Sequence, residues 1–186
     1  DGAIPAALSV LNLPPLNVMD RASLPVELAS GRARAVGSLR LPLKRGIPAD
    51  EIFWDAEGEL LDVASDVLVD GHSLRGDRLA LSATQDKVAI GGKGALSGVP
   101  FDATWSHTLG SDEPGRIAGT VTLSQTAVDA FNIGLPDGTF SGAGTGNLSV
   151  TMPRGAPLQF SLTSNLAGLG VAIPPIGWRL GRDSRG

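Results

Sequence analysis

The chain has 186 residues, enough for one sizeable domain or two small ones. Its hydrophobic fraction of 42% and charged fraction of 18% exclude an intrinsically disordered chain. A net charge of −4, with no run of basic residues longer than two, argues against nucleic acid as a partner. Cysteine is absent, which excludes disulfides and thiolate metal sites but leaves an oxidising compartment open.

The two ends of the chain carry no visible targeting signal. No stretch approaches the ~20 apolar residues of a membrane span. The chain begins at Asp1 without the basic and apolar regions of a signal peptide. We therefore expect an excised part of a longer protein, in which any targeting or anchoring segment would lie outside this sequence.

Alternation of apolar and polar residues is the dominant pattern, and it is typical of strands with one apolar and one polar face. Residues 1–29 are rich in proline and predict an irregular lead-in or an edge strand. The predicted strands that follow are 30–43, 51–55, 59–70, 77–84, 88–96, 99–109, 116–123, 139–152, 157–164 and 168–173. Glycine and proline occupy most gaps between them, as turns require, and Gly58 is interpreted as the tip of a hairpin.

One short helix is predicted at 125–133, with Ser124 as its N-cap and Gly134 at its end. Ala127 and Phe131 would share one face of it. A helix of nine residues is about 13 Å long, too short to cover about ten strands. The rest of the apolar face must be closed by the sheet itself, by a partner or by a ligand.

A short internal repeat separates two of the strand groups. The sequence Gly-Lys-Gly-Ala-Leu-Ser at 92–97 returns as Gly-Thr-Gly-Asn-Leu-Ser at 144–149. Each copy is followed by a proline and another alternating strand. Repeated hairpin units stacked along one axis are how elongated sheets are built.

Motifs for catalysis or metal binding are missing from the sequence. The glycine-rich run at 91–94 lacks the Gly-Lys-Ser/Thr of a phosphate-binding loop, and no serine lies in a Gly-x-Ser-x-Gly elbow. The two histidines, His72 and His107, have no ligating neighbours at metal-site spacing. We expect a protein that is not an enzyme and that has no cofactor and no metal.

A family resemblance rests on several glycine-rich segments in a fixed order. The run VAIGGKGALSGVPF at 88–101, an alternating strand, and RIAGTVTL at 116–123 resemble the AsmA-like family of bacterial envelope proteins, the group of AsmA, TamB and YhdP. Residues 34–43, 131–142 and 165–178 continue the likeness, which is closest to the middle region of the YhdP type. The similarity covers about residues 30–178.

The resemblance implies a mainly β fold, an elongated and curved antiparallel sheet that forms an open, taco-like groove or half-barrel with one short helix. Residues 30–178 would form this groove segment, with 1–29 as the lead-in and 179–186 as a tail. In the family such grooves carry phospholipid acyl chains through the periplasm between the inner and outer membranes. An anchor in the inner membrane would lie outside this segment.

Candidate groove residues are the large apolar side chains at alternating strand positions. They are Leu79, Leu81, Val88, Ile90, Phe101, Trp105, Ile117, Val121, Leu158 and Phe160. Arg32, Arg34 and Arg40 form a basic stripe that protects an edge strand or, as the second interpretation, contacts lipid headgroups. The alternative function is a closed β-sandwich with a structural or adhesive role and no ligand.

Overall fold

The computed structural model of the chain describes residues 1–13, 19–20, 25–40, 42, 53–153, 155–173 and 178–181. The fold is mainly β, with 62% of residues in strands, and its large antiparallel sheet does not close into a barrel. This confirms the predicted fold class. Two helices accompany the strands in the part of the chain described, where the sequence predicted one.

The helices are α1, Ile4–Leu11, and α2, Gln125–Ala130. The strands, in chain order, are β1 Gly2–Ala3, β2 Ser30–Arg40, β3 Phe53–Val69, β4 His72–Thr84, β5 Lys87–Leu96, β6 Val99–Thr108, β7 Gly115–Leu123, β8 Phe140–Gly142, β9 Gly144–Met152, β10 Gln159–Thr163, β11 Leu169–Ile173 and β12 Trp178–Leu180.

Nine strands form one sheet in the order β1-β2-β3-β4-β5-β6-β7-β9-β10, and every neighbouring pair is antiparallel. Each strand therefore pairs with its neighbour in the chain, with the single omission of β8. That strand leaves the meander and forms a second, three-stranded sheet with β11 and β12. The sequence did not predict β12.

The hairpin predicted at Gly58 is wrong. Gly58 lies in the middle of β3, a continuous strand of 17 residues, where two strands at 51–55 and 59–70 were predicted; residues 51–52 lie outside the described ranges. A Cβ atom at Gly58 would collide with the carbonyl oxygen of Arg34 on β2. Glycine is required here because two backbones approach closely, not because the chain turns.

The lead-in contains a helix that the sequence analysis missed. Pro5 lies in the first turn of α1, where a proline costs no hydrogen bond. Ile4 is buried in a cluster with Val63 of β3 and Leu79 of β4, and Leu8 packs against the same cluster. The helix thus covers the apolar face at the β2–β4 side of the sheet.

A second covered area lies where β6 begins and β7 ends. Helix α2 contacts both strands, and its Ala127 and Val128 are buried. Val99 at the start of β6 and Leu169 of β11 are only 1% and 0% exposed. In the described part of the chain, no helix has the length and apolar character needed to cross a membrane.

Candidate functional site

A ladder of apolar side chains crosses the middle of the nine-stranded sheet. Residues that pair across antiparallel strands project to the same face, so the register alone defines this ladder. It consists of Leu81, Ile90, Trp105, Ile117, Val150 and Phe160, one residue on each of β4, β5, β6, β7, β9 and β10. We call it the long ladder.

The predicted groove residues share this face, with one exception. Strand alternation from the long ladder adds Leu79, Val88, Phe101 and Val121, so nine of the ten candidates lie on one side of the sheet. Leu158 precedes β10 and is 64% exposed. The sequence pattern therefore assigned these nine side chains to one face, although it could not define their neighbours across the strands.

A strip without large side chains runs beside the long ladder. Gly92 of β5 pairs with Ala103 of β6, and Ala103 pairs with Gly119 of β7. Each of these residues lies two positions along its strand from the ladder residue, on the same face. We call this line the floor strip. The sequence analysis missed it because glycine adds nothing to an apolar pattern.

Phe101 and Val121 pair with each other and bound the floor strip on its other side. Phe101 is four residues from Trp105 of the long ladder, a spacing of about 13 Å along the strand. Large apolar side chains thus stand on both sides of a line of minimal side chains. We call this arrangement, a line of small residues on three neighbouring strands with large apolar side chains on both sides, the cross-strand groove.

The glycines of the internal repeat make room for the bulky side chains of this face. A Cβ atom at Gly94 would lie 2.6 Å from Cζ of Phe101, and one at Gly146 would lie 2.7 Å from Cδ1 of Leu162. Neither position can hold a side chain unless its neighbour moves. The repeat therefore reflects the same packing requirement in β5 and in β9.

The two ends of the cross-strand groove differ. At β4 the floor strip meets Leu79, which is 7% exposed beneath α1. On the other side it meets Leu148 of β9, which pairs with Gly119; Leu148 pairs in turn with Leu162 of β10, which is 44% exposed, beside Phe160 at 77%. Trp105 and Ile117, between these ends, are half-buried. Large side chains therefore bound the floor strip at both ends, buried at the α1 end and more exposed toward the β10 edge.

The arginine stripe lies on the opposite, polar face. Ala35 pairs with Gly58 in the row of the long ladder, so the alternating Arg32, Arg34 and Arg40 point away from the groove. Arg34 contacts Asp1 at 3.1 Å, and Arg32 lies 3.9 Å from Asp62. The structure does not bring these arginines to the groove residues.

The polar groups on the apolar face form ring contacts and not a catalytic cluster. His107 stacks against Trp105 with ring centroids 6.4 Å apart. His72 lies 5.0 Å from the ring of Phe131, and its Nδ1 is 3.0 Å from Oγ of Ser97. Within the described ranges, no three histidine or carboxylate side chains gather in a way that could hold a metal ion.

Comparisons with known proteins add no relative. No family model, no curated protein and no solved structure matches the chain. The indications of function are therefore the apolar face of the sheet and the sequence motifs.

Proposed function

We propose that the cross-strand groove binds the acyl chains of phospholipids. One observation carries this proposal: the floor strip of Gly92, Ala103 and Gly119 lies between two lines of large apolar side chains. A flexible hydrocarbon chain fits such a line because it needs a narrow, continuous apolar surface and no directional contacts. Burial of each methylene contributes about 0.8 kcal/mol.

The length of the long ladder agrees with this ligand. The long ladder crosses six strands from β4 to β10, and five inter-strand spacings of ~4.8 Å give about 24 Å. Half the ~30 Å hydrocarbon core of a bilayer is the length available to one leaflet's acyl chains. The long ladder is therefore longer than a single acyl chain, which would lie along it and fill the floor strip of β5–β7, about 10 Å across, with its headgroup in water at the β10 edge.

We place this activity in the bacterial envelope, as the AsmA-like motifs imply. In this proposal the chain is a segment of a periplasmic protein that carries phospholipids between the inner and outer membranes and is anchored in the inner membrane by parts outside this sequence. It works by binding alone, without catalysis or cofactor. The apolar groove supports the lipid, and the motifs support the location.

The alternative, a closed β-sandwich without a ligand, requires a second layer over the apolar face. The three-stranded sheet has strands of three, five and three residues, whereas the large sheet has strands of up to 17. Leu169 of the small sheet lies beside Gly144, at the start of β9. This disproportion favours the open groove.

The test is to fill the groove. Ala103→Leu places a branched side chain on the floor strip, so we expect phospholipid bound during expression to fall several-fold. Thr104→Leu adds the same side chain on the adjacent, polar-face position of β6 and is the matched control. Bound lipid is measured by native mass spectrometry and organic extraction of protein purified without harsh detergent.

If Ala103→Leu disturbs the fold, a second variant still tests the groove. Val121→Asp puts a charge on the side of the groove and should also release lipid, while circular dichroism reports whether the strands persist. Wild-type protein that carries no phospholipid and takes up none from vesicles would contradict the proposed function. Equal lipid content in the Ala103→Leu and Thr104→Leu variants would show that lipid lies elsewhere.

A further inference from the structure

The last strand of the large sheet has an open edge. β10 pairs with β9 through Gln159–Thr163, and in the ranges that the structure describes no strand lies on its other side. An edge strand presents unpaired backbone N–H and C=O groups, and proteins protect such edges with charges, proline, bulges or a covering element.

The two edges of the sheet differ in this protection. At the other edge, β1 covers part of β2, and Arg34 of β2 contacts Asp1 at 3.1 Å. At β10 no charged residue occurs from Gly155 to Asn165, and no proline lies inside the strand. Phe160 projects from this unprotected edge with 77% of its surface exposed. The β10 edge therefore has the composition of a pairing surface.

We propose that β10 pairs in antiparallel register with β10 of a second copy of this chain, about a twofold axis at Ser161. This register opposes Phe160 to Leu162 of the second copy, and Gln159 to Thr163. Apolar residues then meet apolar residues on one face, and polar residues meet polar ones on the other. All five residues of the strand take part.

The twofold symmetry determines how the two sheets are oriented in the dimer. A twofold axis that relates adjacent antiparallel strands stands perpendicular to the sheet, so both apolar faces lie on the same side. The two nine-stranded sheets then form one apolar surface, joined at their β10 edges. A five-residue strand pair buries less than the ~1,200 Å² of a stable interface, so the dimer forms reversibly with concentration.

The absence of cysteine permits a direct test of the register. Ser161→Cys places two thiols opposite each other at the twofold axis, within the reach of a disulfide. Ser149→Cys is the matched control, because Ser149 pairs with Ser161, lies on the same face and is also exposed. In the dimer two copies of residue 149 are three strand spacings apart, about 14 Å, too far for a disulfide.

Mild oxidation should therefore cross-link the Ser161→Cys variant several-fold more than the Ser149→Cys variant. Equal cross-linking of the two would overturn the proposal. Oxidation can also cross-link two chains that meet only rarely. The average mass of the unmodified chain, measured by sedimentation over a range of concentrations, is therefore the second measurement. We expect this average mass to rise toward that of a dimer as the protein concentration increases.

Ser161→Lys should abolish that rise, since it places two like charges opposite each other, whereas Ser149→Lys should leave it unchanged. A wild-type chain that stays monomeric at all concentrations, or a Ser161→Lys variant that dimerises like the wild type, would refute edge pairing. The inference does not depend on lipid binding, since both measurements are made on protein stripped of lipid.

Discussion

Leu79 and Leu81 are two residues apart on β4 and project to the same face, but their surroundings differ. Leu79 is 7% exposed and packs with Ile4 and Val63 beneath α1. Leu81 belongs to the long ladder and is only half-buried. The comparison divides one apolar face into two parts: where a helix covers it the face stabilises the fold, and where none does the side chains stay partly in water.

The difference in exposure between Leu79 and Leu81 arises from segments outside the strands, the helices that cover the sheet. Strand alternation makes the whole face apolar, from β3 to β10, without regard to what covers it. The helices α1 and α2 have only eight and six residues, about 12 Å and 9 Å of helix. The sheet is therefore much larger than its cover, and the uncovered remainder forms the groove.

The largest effect is expected for Leu79→Ala. Removal of this side chain opens a cavity in the cluster beneath α1, and we expect the free energy of unfolding to fall by about 2–5 kcal/mol. Leu81→Ala is the matched control and should cost about 1 kcal/mol or less, because its side chain is already half in water. Urea unfolding followed by circular dichroism measures both; equal losses would contradict the division of the face.

An intermediate effect is expected for Gly119→Ala on the floor strip. A Cβ atom there would lie against Cα of Ala103 and the carbonyl oxygen of Asp102, so β6 and β7 would have to separate. Such overpacking should lower the free energy of unfolding by about 1–3 kcal/mol. The control is Gly98→Ala, a turn glycine with open space around it, whose cost would come only from its positive φ of 80°. If Gly119→Ala did not lower the free energy of unfolding, the floor strip would not be close-packed.

The smallest effect is expected on the polar face. Nη1 of Arg78 lies 3.0 Å from Oε1 of Glu59, with 69% and 40% of the two side chains exposed. Exposed ion pairs contribute about 0–1 kcal/mol and are screened by salt. Arg78→Ala should therefore change the free energy of unfolding far less than Leu79→Ala at the next residue. High salt should make the effect of Arg78→Ala smaller still. A loss as large as that of Leu79→Ala would show that both faces support the fold.

Period-two alternation predicted most strands because it follows directly from the burial of one face of a sheet. It was wrong at Gly58, where a glycine required by close backbone approach was interpreted as a turn. It also merged β8 with β9, since Gly142, with φ of 80°, and Ala143 redirect the chain without a strong sequence signal. Helix α1 was missed because its run of Ile4–Leu11 is apolar on nearly every side and begins beside a proline.

The candidate site was predictable only in part, for a physical reason. Strand alternation assigns each side chain to a face, so nine of the ten candidate residues were predicted on the face that they share. The register between strands depends on turns and bulges, and no single strand encodes it. Thus the pairing of Gly92, Ala103 and Gly119 into one strip became visible only in the sheet. The same alternation places Arg32, Arg34 and Arg40 on the polar face, and their contact with lipid headgroups stays a prediction.

The meander order of the large sheet has a consequence for how such a protein forms and changes. Because each strand of the sheet pairs with the next strand along the chain, with only β8 passed over, the contacts of the sheet join neighbouring strands. Chains of this kind behave as one-dimensional arrays: structure can begin at one hairpin and spread to its neighbours. Insertion of one further hairpin would add about 10 Å to the length of the apolar surface and leave existing pairings intact. Gene duplication alone could therefore lengthen this surface, without redesign of the strands already present.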